Sequence, residues 1–199
     1  MTPETRTFLL EMTQASDVES LWQVHCARMA EYGFDRLLYG FTRFCTESSL
    51  GDPNDFVVLS NHCPDYLKGF VDGELYKNAP MAQWALENDG ACSWRLGADL
   101  VEAGKLGEKS RKELQFNQSF GVEAGYTISF RSISRRAKGA ISLAVRKDLD
   151  QAGADAIWAE HRDDILLQNN IVHMKILTLP VPMQNQRLTP RQREALEWV

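Results

Sequence analysis

Apolar and polar positions divide this chain into helical stripes and short alternating runs. Residues 7–12 read as a short helix that breaks near Ser16 and Asp17, whose side chains suit an N-cap. From Val18, apolar positions recur at Leu21, Trp22, His25/Cys26 and Met29, a helical stripe that Gly33 closes. His25 beside it reads as a core histidine rather than a ligand. Residues 36–44, RLLYGFTRF, predict a strand; GDPND is a turn, and residues 56–59 return as its antiparallel partner. Helices are expected near 64–73 and 80–88, each with proline in the first turn, where a missing N–H costs nothing. Residues 90–94 predict a short strand or bend, then a polar, glycine-rich loop, then a charged helix over 108–120.

The clearest hairpin is GYTISFRSIS, a basic turn RRAKG, and AISLAV. On its second strand Ala140, Ser142 and Ala144 share one face, and Ile141, Leu143 and Val145 the other. A face of small residues leaves room for a guest, or lets a helix pack closely. Residues 150–179 form a long helical pattern carrying Ile157, Trp158, Ile165, Leu166, Ile171, Val172, Met174 and Ile176. The stripe widens in its second half, more than one sheet face needs, and most simply serves another copy of the chain. Residues 180–187 are a linker stiffened by two prolines. In the tail, LTPRQREALEWV, Thr189 is a good N-cap and Pro190 sits at the first helical position.

Composition narrows the class. The 199 residues are 44% hydrophobic and 25% charged, which is globular. A net charge of −5 supplies no broad footprint for nucleic acid in the chain as given. No apolar run approaches the ~18 residues of a membrane helix and no signal-peptide pattern opens the chain, so a cytoplasmic protein is expected. Cys26, Cys45, Cys63 and Cys92 form no CxxC and no zinc spacing, so free thiols and no metal site are expected. No nucleophile elbow, P-loop or dinucleotide fingerprint appears, and no catalytic residue or cofactor is expected. Asp163 and Asp164 are helical neighbours that point apart, and Arg135, Arg136 and Lys138 read as a solvated turn.

The densest chemistry lies in residues 62–94, HCPDYLKGFVDGELYKNAPMAQWALENDGACSW. Tyr66, Phe70, Tyr76, Trp84 and Trp94 offer large apolar surface, and His62, Asn78 and Ser93 are possible polar handles. Such a mixture lines a small-molecule pocket or packs a core.

Its spacing resembles the pocket segment of the LuxR family of quorum-sensing transcription regulators, a Tyr-Pro-x-x-Trp entry followed by an aromatic, an Asp-Pro pair and a second Trp. Here Tyr66 falls at the first Trp, His62 at the Tyr, Phe70 at the aromatic, Ala79-Pro80 at Asp-Pro, and Trp94 at the last Trp. The likeness extends to GFDRLLYG, Gly125-Tyr126-Thr127 and Gly139 to Ser142, and the tail resembles the opening of a LuxR-type helix-turn-helix domain. The resemblance implies an α/β/α sandwich with a central five-stranded antiparallel sheet. It divides the chain into a sensor over 1–179, a linker over 180–187, and over 188–199 a DNA-binding domain cut off within its first helix.

Such a sensor buries an N-acyl-homoserine lactone between the sheet and one helical layer. The resemblance assigns the lactone carbonyl to the first Trp, the acyl carbonyl to the Tyr and a hairpin Ser or Thr, and the amide N–H to the Asp. Carried across, the ligand residues are His62, Tyr66, Phe70, Ala79, Trp94, Thr127 and Ser142. Ala79 cannot accept the amide N–H. That loss is worth about 1–3 kcal/mol, so weak lactone binding or a related non-standard signal is implied. Asn78, a backbone carbonyl or water is a candidate substitute.

The implied partners are a small-molecule signal, a second copy of the chain, and DNA through the missing helices. The alternative is an inhibitory protein that heterodimerises with a full-length relative and cannot itself bind DNA.

Overall fold

The computed structural model describes residues 3–45, 51, 53–132, 134 and 136–180. The expected tail helix and all of the expected linker but Pro180 lie outside the described residues.

Five strands form one antiparallel sheet, β1 Phe34–Thr42, β2 Val57–Ser60, β3 Gly90–Ser93, β4 Gly125–Ser129 and β5 Lys138–Val145, in the order β2-β1-β5-β4-β3. The two expected antiparallel pairings form, with Tyr39 opposite Leu59 and Thr127 opposite Ser142. β5 sits at the centre, which explains its lack of charge inside the strand.

On one face lie α1 Pro3–Gln14, α2 Val18–Tyr32 and α7 Gln151–Thr178. The first helix extends beyond its apolar pattern at both ends. Asp17 caps α2 by accepting from the Ser20 N–H at 2.8 Å, and Gly33 ends it at φ 106°, a left-handed conformation that favours glycine. Asp150 caps α7 in the same way, accepting from Gly153 N–H at 2.9 Å. The long α7 spends most of its wide stripe on its own domain: Ile165, Val172 and Ile176 are buried against Leu37, Tyr39, Ile141 and Leu143. Leu167 and Met174, by contrast, are exposed.

The three histidines of this half are structural in their packing. His25 is fully buried with its Nε2 3.0 Å from Asn169 Oδ1. His173 pairs with the Tyr39 hydroxyl at 2.9 Å and stacks on Phe130. His161 lies beside Tyr32.

The other face carries α3 Pro64–Leu67, α4 Pro80–Glu87, α5 Arg95–Glu102 and α6 Glu108–Ser119. α3 continues as a π-helical turn over Lys68–Asp72, so the expected helix near 64–73 forms with a widened second half. Gly69 is required there: a Cβ would lie 2.4 Å from the Phe116 ring of α6. Helix α5 corrects the expected glycine-rich loop. A single interior glycine, Gly97, costs a helix only about 1 kcal/mol, and the left-handed Gly104 lies just past its end. The layers therefore make the α/β/α sandwich that the resemblance implied.

Candidate ligand-binding site

The two faces of the sheet differ in side-chain volume, and that difference creates the site. Toward α1, α2 and α7 the strands present Leu37, Tyr39, Ile128, Ile141 and Leu143, all nearly inaccessible. Toward the other layer the register aligns Gly40 with Ala140 and Ser129, and Leu38 with Ser142 and Thr127. Small residues in neighbouring strands leave a trough. Gly40 is exposed although its strand is paired on both sides, and a Cβ added there would meet nothing within 4 Å.

Over this trough α3 to α6 enclose a cavity of about 510 Å³, within the range of small-molecule sites. Its walls are mainly apolar: Phe70 and Tyr76 roof it, and Ala85 closes one side. Val58 and Val101 line it while being exposed, so it reaches the surface. Among the two uses open to a face of small residues, the fold takes the one that leaves space.

Of the residues singled out from the sequence, Tyr66, Phe70, Ala79, Trp94, Thr127 and Ser142 border this cavity. Their polar atoms are already partly engaged. Trp94 donates its indole Nε1–H to Thr127 Oγ1 at 2.9 Å, and Tyr66 donates its hydroxyl to Asn117 Oδ1 at 3.0 Å. Ser142 Oγ reaches Leu38 O only at 3.5 Å, a long contact that leaves the hydroxyl free to turn to a guest. Burial holds the Tyr66 phenol protonated far above its ordinary range, and the nearby Glu113 adds to that.

His62 stands elsewhere. Its ring stacks on Tyr66 at 4.2 Å between centroids and is not on the cavity wall. Desolvation, helped by the nearby Arg36 charge, pulls its pKa to about 4, so it is a neutral ring bracing Tyr66 from behind. Ser93 points away, donating to Asp155 Oδ1 at 2.9 Å, and Asn78 and Trp84 do not border the cavity. Ala79 is the N-cap of α4 and caps nothing with its methyl side chain.

Three polar wall residues, Glu113, Asn117 and Gln118, come from the charged helix α6 and were not expected. Asn117 donates from Nδ2 to Glu113 Oε1 at 2.6 Å, and both residues border the cavity. Glu113 is only 2% exposed, and its Oε2 has no hydrogen-bond partner. Burial raises this carboxyl to about 7, against the opposing Asn117 hydrogen bond. The signal was present as spacing: Glu113, Phe116, Asn117 and Phe120 follow one helical stripe, with a carboxyl at an apolar position.

A roofed trough on one face of an antiparallel sheet is, in shape, a small-molecule pocket domain. The family model for the autoinducer binding domain matches residues 17–176, and the chain belongs to that family, the signal-binding domain of LuxR-type regulators. That family is not an enzyme family.

Among solved structures the chain is similar to the N-acylhomoserine lactone dependent LuxR family transcription factor CepR2 from Burkholderia cenocepacia, with 16% identity, TM-score 0.65, and 87% of this chain and 96% of that one covered. Escherichia coli SdiA is similar at 14% identity and TM-score 0.66, covering 98% of this chain and 76% of SdiA. SdiA in complex with octanoyl-rac-glycerol is similar at 14% identity and TM-score 0.64, covering 98% and 74%. Identities this low speak to fold alone. No curated protein matches the chain. Among the described residues no helix is long and apolar enough to cross a membrane, and no cluster of potential metal ligands occurs.

Proposed function

We propose that the chain is the sensor of a cytoplasmic LuxR-type transcription regulator that takes an acyl-chain signal into the cavity between its sheet and α3–α6. The observation that carries this reading is the 510 Å³ apolar cavity in a chain of the autoinducer binding domain family. The similar proteins point the same way, since one is named as N-acylhomoserine lactone dependent and another is described with octanoyl-rac-glycerol bound. The guest is an N-acyl-homoserine lactone or a related non-standard signal. Tyr66, Phe70 and Trp94 supply its apolar contacts, Thr127 and Ser142 its polar ones, and His62 acts through Tyr66. With Ala79 in place of an acceptor, the site holds a lactone amide about ten- to a hundredfold more weakly than one with a carboxylate there.

Coupling is by mass action. A ligand that binds only the folded sensor stabilises it by RT ln(1 + [L]/Kd), about 2.7 kcal/mol at a hundredfold excess over Kd. Stabilisation favours a homodimer, for which the exposed Leu167 and Met174, one heptad apart on α7, are the candidate contacts. The dimer then presents two helix-turn-helix domains, begun by residues 188–199, to a two-fold operator. No observation favours the alternative of an inhibitory heterodimer.

Thermal unfolding with a panel of acyl-homoserine lactones and acylglycerols tests this. Saturable stabilisation by chains of about eight carbons is expected. A melting point unmoved by any of them, in protein that remains folded and dimeric, rules the sensor reading out.

A further inference from the structure

A buried carboxyl in the wall of a mainly apolar cavity needs a partner, and the protein gives Glu113 only half of one. Oε1 accepts from Asn117 at 2.6 Å, and that amide is held in turn by the Tyr66 hydroxyl at 3.0 Å. Oε2 has no partner, and the residue is 2% exposed, so bulk water does not serve it. Native proteins seldom leave such an atom unpaired, because nothing offsets its desolvation. Rotation about the terminal side-chain torsion exchanges the two oxygens, so either can be offered to the space beside it. Helix α6 also packs against the turn Leu75–Asn78 that leads into Ala79. The carboxyl absent at residue 79 thus has a counterpart in the same wall, supplied by a different helix.

We propose that Glu113 is the polar anchor of the cavity, and that it receives a hydroxyl group carried by an otherwise apolar, chain-bearing guest. This rests on the sensor reading above and names the chemistry of its ligand. A hydroxyl suits the site better than an amide N–H. With its pKa raised to about 7 by burial, the carboxyl is part protonated and part ionised near neutrality. A hydroxyl can donate to the ionised form and accept from the protonated one, whereas an N–H can only donate.

The test is calorimetric titration of the wild-type chain and of E113M and E113Q with two probes of equal chain length, 1-octanoyl-glycerol and methyl octanoate. Wild type is expected to prefer the glycerol ester by about tenfold or more. E113M, of similar volume but apolar, abolishes the preference while methyl octanoate still binds, and E113Q, whose amide can donate and accept, keeps most of it. An E113M variant that keeps the preference, or that weakens both esters equally, overturns the proposal. Wild type that binds both esters alike also overturns it while leaving the sensor reading intact, and wild type that binds neither overturns both. Should E113M not fold, a crystal structure of the wild type with 1-octanoyl-glycerol decides. A guest hydroxyl within about 3.2 Å of the Glu113 carboxyl supports the proposal, and one bonded elsewhere overturns it.

Discussion

The indole N–H of Trp94 lies 2.9 Å from Thr127 Oγ1, so the single polar atom of this tryptophan is spent on the protein itself. The bond ties the start of α5 to strand β4. Trp94 therefore offers a guest apolar surface and not its N–H.

Thr127→Val removes the acceptor at nearly constant volume and leaves the indole N–H unmatched. A loss of about 1–2 kcal/mol in urea unfolding is expected. Trp94→Phe in the same background should cost less than it does alone, with a coupling of about 1 kcal/mol across the double-mutant cycle. Strict additivity would show that the bond contributes nothing.

Ala79→Asp places a carboxylate at the N-cap of α4, where the methyl group now caps nothing. An Asp there can accept a first-turn N–H, worth about 1 kcal/mol, which offsets part of the cost of burying charge at a position only 4% exposed. Stability should change little. Affinity for N-octanoyl-homoserine lactone, measured by calorimetry, should rise about tenfold or more. Unchanged affinity would mean that a lactone amide does not lie over the start of this helix.

Opposing titrations shape the acid stability. Burial lowers His25, His62 and His173 to about 4, so the unfolded chain takes up their protons first and stability falls as pH drops from 6.5 toward 4. Glu113 has the opposite sign. Raised to about 7, it keeps a proton in the folded state that the unfolded state has released, so its contribution is full below the ordinary 4.5 and is lost as pH rises through 7. Three groups outweigh one, and net stability should fall on acidification. Glu113→Gln removes the opposing group, so its unfolding free energy should fall with acid more steeply, by up to about 1.4 kcal/mol per pH unit. Equal slopes between pH 4.5 and 6.5 would show that Glu113 is not buried in its acid form.

Much of the fold was legible because its determinants are local. Proline at the starts of α3 and α4, Asp17 as a cap, and alternation along β5 each act within a few residues. The small face of β5 was visible as a pattern, but its outcome was not. Whether a helix fills such a trough depends on Phe70, Tyr76 and α5, whose positions are set by contacts distant in sequence. Helix α5 was hidden by glycine content, since Gly97 and Gly104 weigh against a helix in any short window. Glu113 was hidden by its neighbours: a helix reading EKSRKEL looks solvated all round, and only tertiary packing turns one of its carboxylates inward. His62 matched a family position by spacing, yet the ring stacks behind Tyr66 and does not pass it. The widened stripe of α7 told of burial without saying against what, and most of it meets its own sheet.

Room for a guest depends on the emptiness above Gly40. A Cβ there meets nothing within 4 Å, so Gly40→Val adds side-chain volume to the cavity without displacing protein atoms near the strand, in a β-favouring residue. Calorimetric titration of 1-octanoyl-glycerol into wild type and Gly40→Val, alongside their melting curves, is the most direct test. Wild type should bind saturably, and the variant should melt no lower than wild type and bind at least tenfold more weakly. A folded Gly40→Val that binds as wild type does would place the guest elsewhere and contradict the account.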